Sequence, residues 1–475
     1  MSLLNFIPEL ILLTTGVVLA AVTVTSLSRE KCASFTKPFM TLAAAILVAG
    51  TLFTLYGNAA IFHSTYRIDL FSQGFKFLLA LAYLVTILFS EKWTGISENR
   101  RTEFYLLLSA AALGMMMLVS SVHILIFYVS LELSSYSLYI LSALKNERKG
   151  AEASVKYIIF GAAASGIFLW GLSLIAGLAG TGSLPEIAAL APGLMGQPAF
   201  AVGLALVIFS FLFKLSGFPM HAWAPDIYES SSMSVTGFIA TASKAAAAAI
   251  LIRFLALTEL TVSLTALLGA AAFASMTIGN CVALVQKDVK RLLAYSSIAQ
   301  AGYLLVGLLA GTFEGYSSAL FYAFGYVMMN AGAFLVTLWI AQAAKNDNPQ
   351  IQDFDGLADR SPFLALMLLL SLLSLAGIPP LVGFTGKWIL FSAAMDRGHW
   401  FLVLWGVLNS VVSLFYYLTL VKHAYLEKPK DPTPLRLPIR LQILGFFLFG
   451  ALVFLGIFPN NLITFAREAV SSVLL

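Results

Sequence analysis

The sequence predicts an all-α integral membrane protein. Three observations carry this. Of the 475 residues, 60% are hydrophobic and 11% charged, against roughly 45–50% apolar and about 25% charged in soluble domains. Mean hydropathy is +0.90. Apolar runs of the roughly 20 residues that cross a hydrocarbon core follow one another almost end to end. Lipid gives the backbone no hydrogen-bond partner, so spans are helices or a closed barrel. These runs are continuous rather than alternating, which selects helices.

Fourteen spans are expected, at 5–27, 36–56, 74–90, 104–120, 122–144, 153–179, 198–218, 233–258, 262–286, 290–310, 316–343, 361–395, 401–422 and 439–460. The first keeps its polar flank and shows no small-residue cleavage site, so it reads as a permanent helix. The loops between spans are too short for a soluble domain. The longest pieces, about 180–197, 344–360 and 423–438, suit short helices on the membrane surface.

Charge supports this count. Odd-numbered loops hold 19 Lys and Arg: Arg29, Lys31, Lys37, Lys92, Arg100, Arg101, Lys145, Arg148, Lys149, Lys287, Lys290, Arg291, Lys345, Arg360, Lys422, Lys428, Lys430, Arg436 and Arg440. Even loops and the termini hold 3: Arg67, Arg397 and Arg467. Such a bias places odd loops in the cytoplasm and both termini on the far side. The net charge of +5 therefore reports topology, not nucleic-acid binding. Cys32 and Cys281 are far apart, so the grouped ligands of an iron–sulfur cluster or structural zinc are lacking. Gly177, Gly180 and Gly182 follow no strand and read as a helix end rather than a nucleotide loop.

An internal repeat is visible. Lys214-Leu-Ser-Gly-Phe-Pro219 resembles Ser374-Leu-Ala-Gly-Ile-Pro379, and each interrupts an apolar segment longer than one straight span. Proline removes a backbone donor and clashes with the preceding turn. Broken helices at matching places in two halves point to a transport site. The units are spans 4–8 and 9–13, with spans 7 and 12 broken. Each has five spans, an odd number, so the repeat is inverted. The single membrane domain then divides into spans 1–3 (1–103), a first repeat (104–258), a second repeat (262–424) and a last span with its tail (439–475). Two unrelated proline kinks are the plainer alternative.

Outside loops and termini six Lys and Arg remain: Lys76, Lys156, Lys214, Lys244, Arg253 and Lys387. Lys76, Lys156 and Arg253 lie near span ends, where long stems can reach the interface. Lys156 has a second reading, a place beside a cytoplasmic water path. Lys244 lies 11 residues into span 8, about 16 Å along its axis at ~1.5 Å per residue, too deep to reach water comfortably. Lys214 and Lys387 flank the two breaks, where freed carbonyls can hold an ammonium. Glu132, in the middle of span 5, is the lone acid away from loops, tails and span ends. A charge at the bilayer centre costs at least ~2.5–3.5 kcal/mol, so this set needs a reason. One is an ion pair that holds the bundle together. The other is a proton relay. His221, in loop 7, divides between a structural role and proton uptake. Ser296, Ser297, Gln300, Asn330, Asn409 and Tyr416 either line a wet path or bond neighbouring helices.

Four stretches also carry a family likeness. Tyr128-Val-Ser-Leu-Glu-Leu-Ser-Ser-Tyr136, Glu152-Ala-Ser-Val-Lys-Tyr-Ile-Ile-Phe-Gly161, Phe213-Lys-Leu-Ser-Gly-Phe-Pro-Met-His-Ala-Trp-Ala-Pro-Asp-Ile-Tyr228 and Gly377-Ile-Pro-Pro-Leu-Val-Gly-Phe-Thr-Gly-Lys387 resemble the Mrp-related, antiporter-like membrane subunits of NADH–quinone oxidoreductase (respiratory complex I), the N type (subunit 2) above all. The likeness covers essentially the whole chain. Lys244 in span 8 and Lys387 in span 12 favour the N type over the L and M types, as does the absence of a long lateral helix. Ser230-Ser-Ser-Met-Ser-Val departs from a Pro-containing run common in the family, leaving the start of span 8 in question.

The resemblance implies roles. Glu132 and Lys214 match an ion pair between spans 5 and 7, Lys244 a central lysine, and Lys387 a terminal lysine of the second half-channel. It implies a non-redox subunit of a proton-translocating enzyme, with no cofactor of its own. The parent complex would use NADH, FMN, iron–sulfur clusters and quinone. Partners would be K- and M-type neighbours and the lateral helix of the L type, in a bacterial inner membrane. The alternative is a subunit of a multi-subunit Na⁺/H⁺ antiporter, or of a related ferredoxin- or hydrogenase-linked complex. A membrane-arm subunit that conducts nothing is a third reading.

Overall fold

The computed structural model describes residues 2–24, 29–90, 96–145, 148–256, 258, 261–429 and 431–474. Lys92 and Lys430, counted among the loop cations, lie outside the described residues, as do 25–27 of the first expected span and 257 of the eighth. After a 3₁₀ turn, the chain forms α1 (Ile7–Val24) and α2 (Arg29–Phe53), then a hairpin of β1 (Ala59–Ile61) and β2 (Tyr66–Ile68). The hairpin is antiparallel, pairing Ala59 with Ile68 and Ile61 with Tyr66. There follow α3 (Leu70–Phe89), α4 (Arg101–Ser120), α5 (Ile124–Ala143), α6 (Arg148–Ala179), α7 (Leu184–Leu194), α8 (Pro198–Leu215) and α9 (Trp223–Ser230). Next, α10 (Met233–Phe238) runs through a π-helical turn (Ile239–Ser243) into α11 (Lys244–Ala256). The remainder is α12 (Val262–Ala283), α13 (Val289–Leu308), α14 (Phe313–Ala344), α15 (Leu357–Arg360), α16 (Pro362–Ala376), α17 (Val382–Met395), α18 (Trp400–Leu426), α19 (Ile439–Ile457) and α20 (Asn460–Leu474).

Local chemistry sets several helix starts. Asp69 accepts from the Ser72 amide at 2.7 Å while the Ser72 hydroxyl accepts from the Asp69 amide at 3.0 Å, a reciprocal cap. Thr261, Asp288 and Thr312 cap α12, α13 and α14 in the same sense. Outside the membrane, burial pushes the Asp288 carboxyl above its ordinary value, with the amides of α13 opposing the shift.

Among the described residues twelve helices are long and apolar enough to cross a membrane. Helix α13 falls short through Lys290, Arg291, Ser296, Ser297 and Gln300, and α16 and α17 through length, at 15 and 14 residues. The most apolar windows of α14 and of the α10–α11 rod are wholly buried, so these helices form the centre. Helices α1, α2, α6, α18 and α19 are outermost, each with about a third of its window covered. Breaks fall where expected, between α8 and α9 and between α16 and α17. Their ends are left-handed caps, Ser216 at φ 56° and Gly377 at φ 90°.

Three readings of the sequence need correction. Lys76 and Arg253 do not reach an interface. Lys76 is fully buried with Nζ 2.7 Å from Glu9, and Arg253 meets both carboxylate oxygens of Asp69 at 2.9 Å. Glu132 is therefore not the lone buried acid: Glu9 and Asp69 are 1% exposed. Pairing explains both, because a buried ion survives when its partner and hydrogen bonds come with it. The described residues of 427–438 form no surface helix, although 184–194 and 357–360 do supply the short helices expected in the other two long pieces. The tail, whose structure the sequence left open, is helical: Ala466, Ala469, Val470 and Val473 of α20 bury one stripe at helical spacing against α3 and α14.

Candidate functional site

The first break exposes the C-terminal carbonyls of α8. The Leu212 and Phe213 carbonyls are taken by the amides of Gly217 and Ser216, and Phe213 also by Trp223 Nε1 at 3.0 Å. The Leu215 carbonyl accepts from Lys244 Nζ at 2.7 Å, and the Ser216 hydroxyl bonds the same ammonium. A helix C-terminus carries partial negative charge, so this is a fitting seat for an ammonium. Sequence reasoning placed Lys214 at these carbonyls. Lys244, arriving from α11 just after the π-helical turn, takes the place instead. Its Nζ also sits 5.4 Å from the Trp223 ring centre.

Lys214 points the other way, to Ser135 of α5, whose hydroxyl also bonds the Leu131 carbonyl at 2.5 Å. Glu132 accepts from Ser165 of α6 at 2.5 Å. The expected direct Glu132–Lys214 ion pair within 4.0 Å is not formed. Both groups are buried, at 8% and 7% exposure, and each is held by a serine hydroxyl. The α5 backbone places Glu132 and Ser135 one turn apart on the same side.

The second break repeats the arrangement. Lys387 of α17 donates to the Leu375 carbonyl at 2.9 Å, the Ala376 carbonyl at 3.0 Å and Ser410 of α18 at 2.7 Å. Its Nζ lies 4.2 Å from the Tyr303 ring centre. Gly377 is required here on two counts. Its φ is +90°, and an added Cβ would meet Lys387 Cδ at 3.0 Å.

Gln300 of α13 stands between the two ammonium seats. Its amide nitrogen donates to Leu375, the carbonyl that Lys387 also uses, at 2.9 Å. Its amide oxygen accepts from Tyr322 of α14. On the other side, a small cavity of about 20 Å³ is bounded by Lys244, Ser297, Gln300, Tyr322 and Tyr326. Roughly 10–15 Å³ suffices for one water. Lys244 and Lys387 are thus separated by a water-sized space and one amide side chain.

The secondary candidates divide. Ser296 bonds Tyr417 at 2.5 Å, and Asn409 and Tyr416 both bond Asn280. Asn280 in turn donates to Tyr303 at 3.1 Å, next to Lys387. These bonds join α12, α13 and α18 around the second seat. Lys156 is not with the relay residues. It is half-exposed and paired with Glu152 at 3.1 Å and Asp226 at 3.3 Å. His221 lies in the link between α8 and α9, within the expected loop 7, stacked on Phe218 at 5.6 Å. Ser135, Ser165, Ser216, Tyr322 and Ser410 were missed, and Gln300 was read only as one polar residue among several. Nothing in a serine or glutamine on an apolar helix marks which break it faces.

Comparisons with known proteins agree with this architecture. Residues 121–413 match the family described as NADH:quinone oxidoreductase/Mrp antiporter, TM. NADH-quinone oxidoreductase subunit N 2 of Syntrophobacter fumaroxidans is 43% identical, covering 100% of both chains, and its namesake in Solidesulfovibrio magneticus is 39% identical, covering 99% of both. A chain of respiratory complex I from Thermus thermophilus superposes with TM-score 0.84 at 33% identity, covering 96% of this chain and 98% of that one. A chain of an archaeal membrane-bound sulfane sulfur reductase gives 0.90 at 26%, covering 99% and 97%. The chain, with its two broken helices and buried lysines, belongs to the NADH:quinone oxidoreductase/Mrp antiporter family of membrane subunits, and within it to the subunit N group.

Proposed function

We propose that this chain is the antiporter-like subunit N of a bacterial NADH–quinone oxidoreductase and carries protons across the membrane. The observation that carries the reading is the pair of ammonium seats. Lys244 and Lys387 each sit on the freed carbonyls of a broken helix, with Gln300 and a water-sized space between them. Glu132 and Lys214 form the intake end, each on a serine hydroxyl that turns without moving the backbone. A proton arriving near Glu132 draws it from its ionised form. Lys214, less stabilised by that acid, passes its own proton towards Lys244. Lys387 then releases a proton on the far side of Gln300. Burial makes each charged form costly, so a small change in a neighbour moves a proton.

Fourteen spans, ten of them in two inverted five-helix units, fit this reading. The twelve long helices, α13 and the α16–α17 pair make that number. Close approaches support the repeat. A Cβ on Gly114 would meet Ser134 N at 2.6 Å and Ser130 O at 2.9 Å, and one on Gly279 would meet Ala299 N at 2.6 Å and Tyr295 O at 2.8 Å. Each of these three positions recurs 165 residues later. The same offset carries Ser135 to Gln300, so the serine that holds Lys214 and the glutamine between the seats are counterparts. The 104–258 and 262–424 units, both termini outside the cytoplasm, K-, M- and L-type neighbours and a cofactor-free chain complete the proposal. NADH, FMN, iron–sulfur clusters and quinone belong to partner subunits.

A second reading, service in a membrane complex with a different electron donor, is favoured by the likeness to the sulfane sulfur reductase chain. Partners that purify with the chain separate the two. Flavin- and iron–sulfur proteins with NADH dehydrogenase activity support the first; their replacement by other redox proteins supports the second. The direct test of conduction is NADH-driven proton pumping in vesicles by assembled complexes carrying Glu132→Ala, Lys214→Ala, Lys244→Ala or Lys387→Ala. Loss of pumping in these variants is expected, and wild-type pumping in all four would sink the relay.

A further inference from the structure

A large groove lies away from the lysines, where the two halves of the chain meet at the far-side end. It has a volume of about 1110 Å³, beyond the roughly 300–1,000 Å³ of ordinary small-molecule pockets. One wall is a stripe of α12: Val262, Thr265, Ala266, Gly269, Ala270 and Phe273. That stripe runs 11 residues from the helix start, about 16 Å at ~1.5 Å per residue, or half of a ~30 Å hydrocarbon core. The groove is thus one leaflet deep. Leu255 and Ala256 of α11 and Phe313 of α14 close it with apolar surface, while Arg397 and His399 stand at its upper rim, just before α18 begins at Trp400.

The rim charge lacks a partner. Of the three far-side cations, Arg67 lies 3.8 Å from Asp69 and Arg467 lies 3.0 Å from Glu314. Arg397, among the described residues, has no carboxylate within 4.0 Å. The neighbouring Asp396 borders a different recess, with Glu314, Trp388 and Arg467. An exposed guanidinium above an apolar slot one leaflet deep matches one chemistry: an anionic phosphate carrying acyl chains. The depth, the mostly apolar side chains of the walls and the cation at the rim all agree. A partner helix would need no cation at the rim.

We propose that this groove binds an anionic phospholipid of the far leaflet, its phosphate on Arg397 and His399 and its chains along α12, where it seals the seam between the two halves. The test uses the whole parent complex, purified and reconstituted with phosphatidylglycerol or phosphatidylcholine bearing a photoactivatable group on the acyl chain. Phosphatidylglycerol is expected to label peptides containing Gly269–Phe273 and Phe313–Tyr316 well above phosphatidylcholine. The Arg397→Gln/His399→Gln double variant should lower that labelling roughly tenfold, the effect of about 1.4 kcal/mol of lost charge-assisted bonding, and leave phosphatidylcholine labelling unchanged. Equal labelling by both lipids in the wild-type complex would overturn the assignment. So would protection of these peptides by another subunit seated in the groove.

Discussion

Serine hydroxyls hold the four charged groups of the proposed relay, and one amide stands between its two ammonium seats. Ser135 is the partner of Lys214, and without it a buried ammonium loses its hydroxyl bond. Ser135→Ala is expected to cost about 1–3 kcal/mol at that group and to slow proton pumping while the complex still assembles. Unchanged pumping by the assembled variant would remove Ser135 from the intake end. The lysines and Glu132 were legible in the sequence because charge inside an apolar span is rare and costly. Their bonding was not legible. A lysine stem spans several ångströms and reaches carbonyls on another helix, so Lys244 occupies the break that Lys214 adjoins. The direct Glu132–Lys214 contact, implied by family likeness, gives way to two separate serine bonds. Lys76 and Arg253 were misread because their acids, Glu9 and Asp69, lie 67 and 184 residues away in the chain. Charge at a span end looks the same in sequence whether it meets water or a buried partner.

The breaks in α8–α9 and α16–α17 follow from Gly-x-Pro at matching positions, and the sequence shows both. Their caps are the sensitive points. Gly377 sits at φ +90° against the Lys387 stem, so Gly377→Ala adds a strained backbone of about 1–2 kcal/mol and pushes on the lysine. The parent complex carrying it is expected to unfold at a lower temperature and to pump more slowly than its Gly217→Ala counterpart, since Gly217 has no positive φ. Equal effects of the two substitutions would show that the cap geometry at Gly377 is not what matters. Helix existence was read correctly from hydropathy. The β1–β2 hairpin and α20 were left unread, because neither is apolar enough to register as a span. The π-helical turn before Lys244 leaves no mark in a run of Ala, Thr and Ser.

Across the whole molecule, one buried ion pair ties the start of α3 to α11. Asp69 caps α3 and holds Arg253 of α11 through two bonds of 2.9 Å. Removing one partner leaves an uncompensated buried charge, at about 3–5 kcal/mol. Arg253→Met is therefore expected to reduce the amount of chain found in assembled complex sharply, and Asp69→Leu added to it should recover much of the loss. A double variant no better than the single would mean that the pair is not the link between these helices. The central proposal is that the ammonium seats at the two breaks form a continuous proton path through Gln300. The measurement that tests it most directly is NADH-driven proton translocation by reconstituted complex carrying Gln300→Leu, a change of similar volume that removes both bonds to Leu375 and Tyr322. The assembled variant is expected to translocate fewer protons per electron, or to turn over more slowly where coupling is tight. Wild-type turnover with a wild-type proton-to-electron ratio would contradict the proposal.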